Sequence, residues 1–126
     1  SPKYAARVIV ANGNINMPFY MYYKKNVNDV PDTISYKLRD IYQLVNFIRN
    51  DRFWSAQIEQ IYVNGSEYEV IPRVGSHVIM VGGVDRLEEK FNNLQSLYED
   101  GLSTTGWNHY KYINLKYRNQ VICTKR

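Results

Sequence analysis

Two histidines, one cysteine, three adjacent hydroxyls and a group of carboxylates are the side chains of this sequence with chemistry to offer. A general base needs a partner positioned to take or give its proton. His77 opens the β-rich run His77–Val81 (HVIMV), and His109 falls in a loop before the last strand. Neither has a cysteine or second histidine at ligand spacing, so both are read as structural. Cys123 is the sole cysteine, which excludes an internal disulfide and a cysteine metal cage and leaves a packed thiol between Ile122 and Thr124. Ser103, Thr104 and Thr105 lack a Gly-x-Ser-x-Gly elbow and are read as turn formers. The stretch from Gly75 to Gly83 (GSHVIMVGG) lacks the Gly-Lys-Ser/Thr ending of a phosphate loop, and its glycines bracket a strand. Asp85, Glu88 and Glu89 are acids at a helix start, where cap and dipole already account for them. The expectation is a protein with no catalytic residues, no cofactor and no metal.

Composition narrows the class further. At 126 residues, with 44% hydrophobic and 22% charged side chains, the chain is expected to form one folded domain. No apolar run approaches the roughly 20 residues that span a bilayer, and no basic-then-apolar leader is present. The start at Ser1-Pro2-Lys3 without methionine reads as that of an excised fragment. Basic residues at Lys24-Lys25, Lys111, Lys116, Arg118 and Lys125-Arg126 interleave with tyrosines, a pattern that can serve single-stranded nucleic acid. The net charge is only +4 and no RNA-binding signature accompanies it, so no nucleic-acid partner is expected. Twelve tyrosines against four phenylalanines suit half-buried positions on an open sheet or an interface.

The elements that would position these groups follow from periodicity. Ala5–Ala11 is a short β-rich run stopped by Asn12-Gly13-Asn14, and Met17–Lys25 is an irregular aromatic segment. Asp32 caps a helix whose stripe is Ile34, Leu38, Ile41, Val45 and Ile48, widened by Leu44 and Phe47, with Lys37, Arg39, Asp40, Gln43 and Asn46 on the wet side. Gln57–Asn64 and Glu67–Arg73 flank Gly65-Ser66 as a hairpin, with a bulge or edge expected at Pro72, and His77–Val81 completes an antiparallel meander. A second helix opens with an Asp85/Glu88 capping box, buries Leu87, Phe91, Leu94 and Leu97 or Tyr98, keeps Lys90 in water and ends at Asp100-Gly101. Tyr110–Tyr117 is a half-buried strand with Ile113, Leu115 and Tyr117 on one face. The predicted order is β-α-β-β-β-α-β(β): an α+β domain with two amphipathic helices on a mainly antiparallel sheet and the C-terminal strand at or near an edge.

The segment Tyr112–Thr124 (YINLKYRNQVICT) reads as a terminal strand or bent hairpin. Its order after "PRVGSHVIMVGGVDRLEEKFNNLQSLY" resembles the C-terminal β-domain of the FtsQ/DivIB cell-division family, and most of all its Bacteroidales version. The likeness covers Val30 to Thr124 and is strongest from Val63. Gly82-Gly83 stands where that family has Leu-Gly, and Asn114 where it has Asp. The resemblance implies a non-catalytic divisome scaffold on the periplasmic face of the inner membrane. Its transmembrane helix and POTRA domain would lie outside this chain, which as a single domain spans 1–126. FtsB/FtsL-like partners would be bound by strand addition, and septal wall synthesis regulated. The partner-binding residues it implies are Tyr112, Asn114, Lys116, Tyr117, Arg118, Asn119 and Gln120. Lys116 would offer charge to acidic partner groups, and Tyr117 would serve as a packed anchor.

A different class stays open on the residues alone. A cell-wall glycan-binding module would stack sugars on exposed aromatics, drawn from Phe19, Tyr20, Tyr22 and Tyr23 or from Trp54 and Trp107. Such a module needs a platform facing solvent, and a strand-addition scaffold needs an unpaired edge.

Overall fold

The computed structural model describes residues 10–13, 32–102 and 109–126. Along the chain run β1 (Val10–Gly13), α1 (Asp32–Arg49), α2 (Arg52–Gln57), β2 (Ile58–Asn64), β3 (Glu67–Pro72), β4 (Val78–Gly82), α3 (Leu87–Leu97), a π-helical turn (Tyr98–Leu102), β5 (Tyr110–Asn114) and β6 (Ile122–Lys125). The strands form one sheet in the order β1-β2-β3-β4-β5-β6. β2/β3, β3/β4 and β5/β6 are antiparallel, whereas β1/β2 and β4/β5 are parallel. Parallel neighbours require a crossover, and α1 with α2 and then α3 supply the two crossovers. The α+β architecture and the β2–β3–β4 meander agree with expectation.

The core lies between the helices and one face of the sheet. Period-two alternation turns Ile61, Val63, Tyr68, Val70, Ile79, Val81 and Ile113 inward, all at 0% exposure. Against them pack Ile41, Leu44 and Ile48 of α1 and Leu87, Phe91 and Leu94 of α3, and Leu38 of α1 is buried as well. From Leu38 onward the stripe expected of α1 is the buried one, with Val45 and Phe47 packed at its margin. Asp40 departs from it. It is 8% exposed rather than wet, and its Oδ2 accepts a buried 2.9 Å hydrogen bond from the Tyr68 hydroxyl, tying α1 to β3.

Helix α2 was not foreseen. Asp51 caps it, its Oδ1 accepting from the Trp54 amide at 3.0 Å. The turn drives Trp54 into the core at 1% exposure, edge-on to Phe91 (5.4 Å between centroids) and Tyr98 (5.2 Å). Such edge contacts add about 0.5–1.5 kcal/mol each to area burial. Trp54 is therefore no part of an exposed aromatic platform, and Gln57 closes α2 instead of opening β2. At the start of β2 the register shifts between Ile58 and Gln60 opposite Pro72, the irregularity that the proline predicts.

The start of α3 also differs from expectation. The cap residue is Arg86, in left-handed conformation (φ 54°, ψ 37°) and with no side-chain cap hydrogen bond, so no Asp85/Glu88 capping box forms. Two departures explain this. Gly82 takes φ +77°, which turns the chain sharply off β4. Lys90, expected in water, is 2% exposed and reaches back to the turn, donating to the Gly83 carbonyl at 2.9 Å and facing Asp85 Oδ1 at 3.5 Å. Asp85 thus answers the lysine instead of the helix amides. At the other end α3 stops at Leu97 and winds on as a π-helical turn through Leu102, beyond the expected stop at Asp100-Gly101. Of the two residues proposed for its last buried position, Tyr98 is the more buried at 5% and Leu97 packs at the margin. The expected Ala5–Ile9 portion of the first strand, the Met17–Lys25 segment, Ser103–Thr105 and Trp107 lie outside the described residues.

A candidate partner-binding edge

β6 ends the sheet. Its inner side pairs with β5 through Asn114↔Ile122, Ile113↔Cys123, Tyr112↔Thr124 and Tyr110↔Lys125. In an antiparallel ladder alternate backbone groups point away from the neighbour. Among the described residues those of β6 meet no further strand. β5 is different: it is held by β4 on one side and β6 on the other, so its backbone is fully inside the sheet.

The expected site residues divide accordingly. Tyr112 and Asn114 stand in β5 on the face away from the helices, half-buried. The strand ends at Asn114, one further bond following where the Leu115 amide donates to the Met80 carbonyl at 2.9 Å. Lys116 leads out of the sheet, and Tyr117, Arg118, Asn119 and Gln120 form the exposed connection to β6, with Asn119 turning it at φ 59°. The closing segment is thus a bent hairpin and not one strand through Tyr117. Because the chain leaves the sheet first, Tyr117 does not share the buried face of Ile113 and Leu115. It is 48% exposed.

The surface so formed is amphipathic. Tyr117 (48% exposed) and Ile122 (43% exposed) supply apolar area at the hairpin, while Val121 and Cys123 pack toward the core. Burial holds the Cys123 thiol above its usual range, in keeping with a packed role. From Tyr110 to the end the sequence carries Lys111, Lys116, Arg118, Lys125 and Arg126 and no acidic residue. Two of these cations are engaged within the domain. The Lys116 ammonium meets Glu67 Oε1 at 3.2 Å, its stem lying across Gly82, where an added Cβ would stand 2.8 Å from Lys116 Cγ. The Arg126 guanidinium donates to Ser76, to its carbonyl at 2.9 Å and to its hydroxyl, and the Arg126 amide donates to the His109 carbonyl at 3.1 Å. Lys111 sits over the Tyr112 ring, 5.5 Å from its centroid. Arg118 and Lys125 are exposed beside the open edge.

Sequence reasoning missed the support behind this edge. Arg86 is 18% exposed in its side chain and holds Asp85 (3.3 Å), Glu89 (2.9 Å) and, thirty residues on, the Lys116 carbonyl (2.9 Å). Burial works against ionisation of Asp85, but the facing Lys90 charge, its own amide and the bonds from Lys90 and Arg86 outweigh it and hold the carboxyl below its ordinary value. Burial lowers Lys90, with Asp85 opposing. The histidines lie elsewhere. His77 is buried ahead of β4, its Nε2 2.9 Å from the Tyr98 hydroxyl, and the ring stands edge-on to Tyr98. His109 is exposed. Among the described residues no three His, Cys, Asp or Glu side chains are grouped to hold a metal, and no helix is long and apolar enough to cross a membrane.

These elements define a two-layer α+β domain that closes on an edge strand. The family comparison makes this specific. The family described as "FtsQ/DivIB, C-terminal related" matches residues 1–124, nearly the whole chain, and the chain belongs to that family. It is therefore a cell-division domain. No curated protein matches the sequence.

Proposed function

We propose that this domain is a non-catalytic scaffold of the division machinery, which receives a segment of an FtsB/FtsL-like partner as an added β-strand along β6 and so helps regulate septal wall synthesis. On this reading the parent protein is anchored in the inner membrane by a segment outside this chain, and the domain faces the periplasm. The observation that carries the reading is the position of β6: it ends the sheet with its outer backbone groups unclaimed among the described residues, and exposed Tyr117 and Ile122 stand beside it. Strand addition draws affinity from such main-chain groups and selectivity from neighbouring side chains. Tyr117 is the apolar anchor. Tyr112, Asn114, Lys116, Asn119 and Gln120 shape the surface around it, and Arg118 with Lys125 favours an acidic partner segment.

The test is a titration of the domain with the periplasmic segment of an FtsB-like partner from the same source, followed by backbone amide NMR. Shifts concentrated at Tyr117–Lys125, weakened at least about tenfold by Tyr117→Ala in a folded variant, are expected for a central aromatic anchor. Shifts spread over the helices, or none at near-millimolar partner, would refute docking at this edge.

A further inference from the structure

We propose that Arg86 is the positioning residue of the C-terminal edge: its guanidinium holds the Lys116 carbonyl and thereby fixes how the Tyr117–Gln120 connection and β6 leave the sheet. The binding consequence rests on the docking reading above, whereas the positioning itself does not.

Two independent features single out Arg86. The first is its backbone. At φ 54° and ψ 37° it occupies the left-handed region, unfavourable for a residue with a Cβ, and its side chain makes no capping bond that would account for this. The second is where that conformation sends the side chain. The guanidinium lies between the Asp85 and Glu89 carboxylates and extends a remaining donor, Nη2, to the Lys116 carbonyl at 2.9 Å. Two carboxylates on neighbouring turns fix the fork, and the fork fixes the carbonyl. A lysine ammonium is a single point and cannot span the three acceptors in this geometry.

Lys116 is the residue at which such control counts. Its amide donates to Asn114 Oδ1 at 2.9 Å, its ammonium pairs with Glu67, and its stem lies over Gly82. With the Arg86 bond every polar group of Lys116 is held, whereas the next four residues are exposed. Arg86 therefore acts at the last fixed point before the exposed connection. A preorganised connection presents Tyr117 and Ile122 in one arrangement, so that a partner does not have to order them on binding.

Arg86→Gly is the informative variant, since glycine adopts the left-handed turn without steric cost and removes only the fork. Native-state amide hydrogen exchange of the 126-residue domain is expected to accelerate about tenfold or more across Leu115–Cys123, with the β2–β3 hairpin and the urea midpoint unchanged. Arg86→Lys, which keeps the charge, is expected to loosen the same amides, and it answers the question if the glycine variant does not fold. A uniform acceleration over the whole sheet, or unchanged exchange at Leu115–Cys123, would overturn the proposal. Partner affinity equal to the parent's in a variant whose connection has loosened would overturn the binding consequence and leave the positioning role standing. If the parent binds no FtsB-like segment but the connection loosens as expected, the positioning role stands and the docking reading alone falls.

Discussion

The bond between Tyr68 and Asp40 joins helix layer to sheet, and its strength can be worked out. Tyr68 is wholly buried in β3, and its hydroxyl donates to Asp40 Oδ2 at 2.9 Å across 28 residues of sequence. Tyr68→Phe keeps the ring and its packing and takes away one oxygen. The loss is then the bond itself, about 1.5–3 kcal/mol where the acceptor is a carboxylate. Asp40 retains 8% exposure, so some water can reach it and the lower half of that range applies, about 2 kcal/mol. For a domain of this size that is a fall in Tm of about 8 °C. Asp40→Asn keeps an acceptor and removes only charge, so about 1 kcal/mol or less is expected, and the double variant should show coupling. Urea unfolding read by tryptophan fluorescence measures all four proteins. The pH dependence adds a second check. Burial, and then the bond to Asp40, raise the Tyr68 hydroxyl above its ordinary 10.0. A group raised on folding contributes stability that is present below its unfolded value and is lost as pH climbs beyond it. Tyr68→Phe should therefore flatten part of the decline in stability above about pH 10. A Tyr68→Phe variant within about 0.5 kcal/mol of the parent, or an Asp40→Asn loss exceeding that of Tyr68→Phe, would refute the reasoning.

Three further outcomes are expected. Tyr98, raised by burial, should add its own alkaline loss with the same sign, so Tyr98→Phe, which removes the hydroxyl bonded to His77, reduces the slope of stability against pH above about 10, measured by thermal unfolding in a pH series. Gly82→Ala combines a strained φ of +77° with a Cβ 2.8 Å from Lys116 Cγ, and should cost more than about 1 kcal/mol and shift the Lys116 side-chain resonances; a neutral result would refute both the backbone strain and the close approach. Lys116→Met removes an ion pair of which both partners are partly exposed, so stability should change by less than about 1 kcal/mol; partner affinity should fall less than in Arg118→Glu, and calorimetry giving the reverse order would return Lys116 to the role of a direct charge contact.

The architecture was legible because it rests on periodicity. A stripe at three and four residues fixed α1, and Asn64-Gly65 between two β-rich runs announced the β2–β3 hairpin. What escaped was decided by long-range polar partners. Asp40 and Lys90 lie among polar neighbours in sequence and read as solvent-facing, but Tyr68 in one case and the Gly83 carbonyl with Asp85 in the other make burial possible. No periodicity encodes a partner 28 residues away. Helix α2 was missed for another reason: six residues are too few for a stripe, and only the Asp51 cap before Phe53-Trp54 announced it. Tyr117 was misplaced by extending period two past Asn114, where the chain had already left the sheet.

The edge itself calls for a physical account. Proteins commonly blunt an unpaired strand with charge, proline, a bulge or a covering element. β6 is Ile-Cys-Thr-Lys: a half-exposed isoleucine, a thiol turned toward the core, a hydroxyl, and one cation at its far end. That is light protection at the middle of the strand. Two cations close enough to serve as guards are committed elsewhere, Lys116 to Glu67 and Arg126 to Ser76. The hairpin is meanwhile secured at both ends, by Arg86 at the Lys116 carbonyl and by Arg126 against His109. On the proposed function, charge committed to holding the edge in place and a strand lightly guarded among the described residues, beside Tyr117, are what a docking strand requires. Arg118→Glu with Lys125→Glu offers the corresponding measurement. Reversing the two exposed cations should leave the unfolding midpoint within about 0.5 kcal/mol, as surface charges do, yet slow association with an acidic partner segment and weaken its dependence on salt. An association rate and salt slope equal to the parent's would mean that charge does not guide the partner to β6.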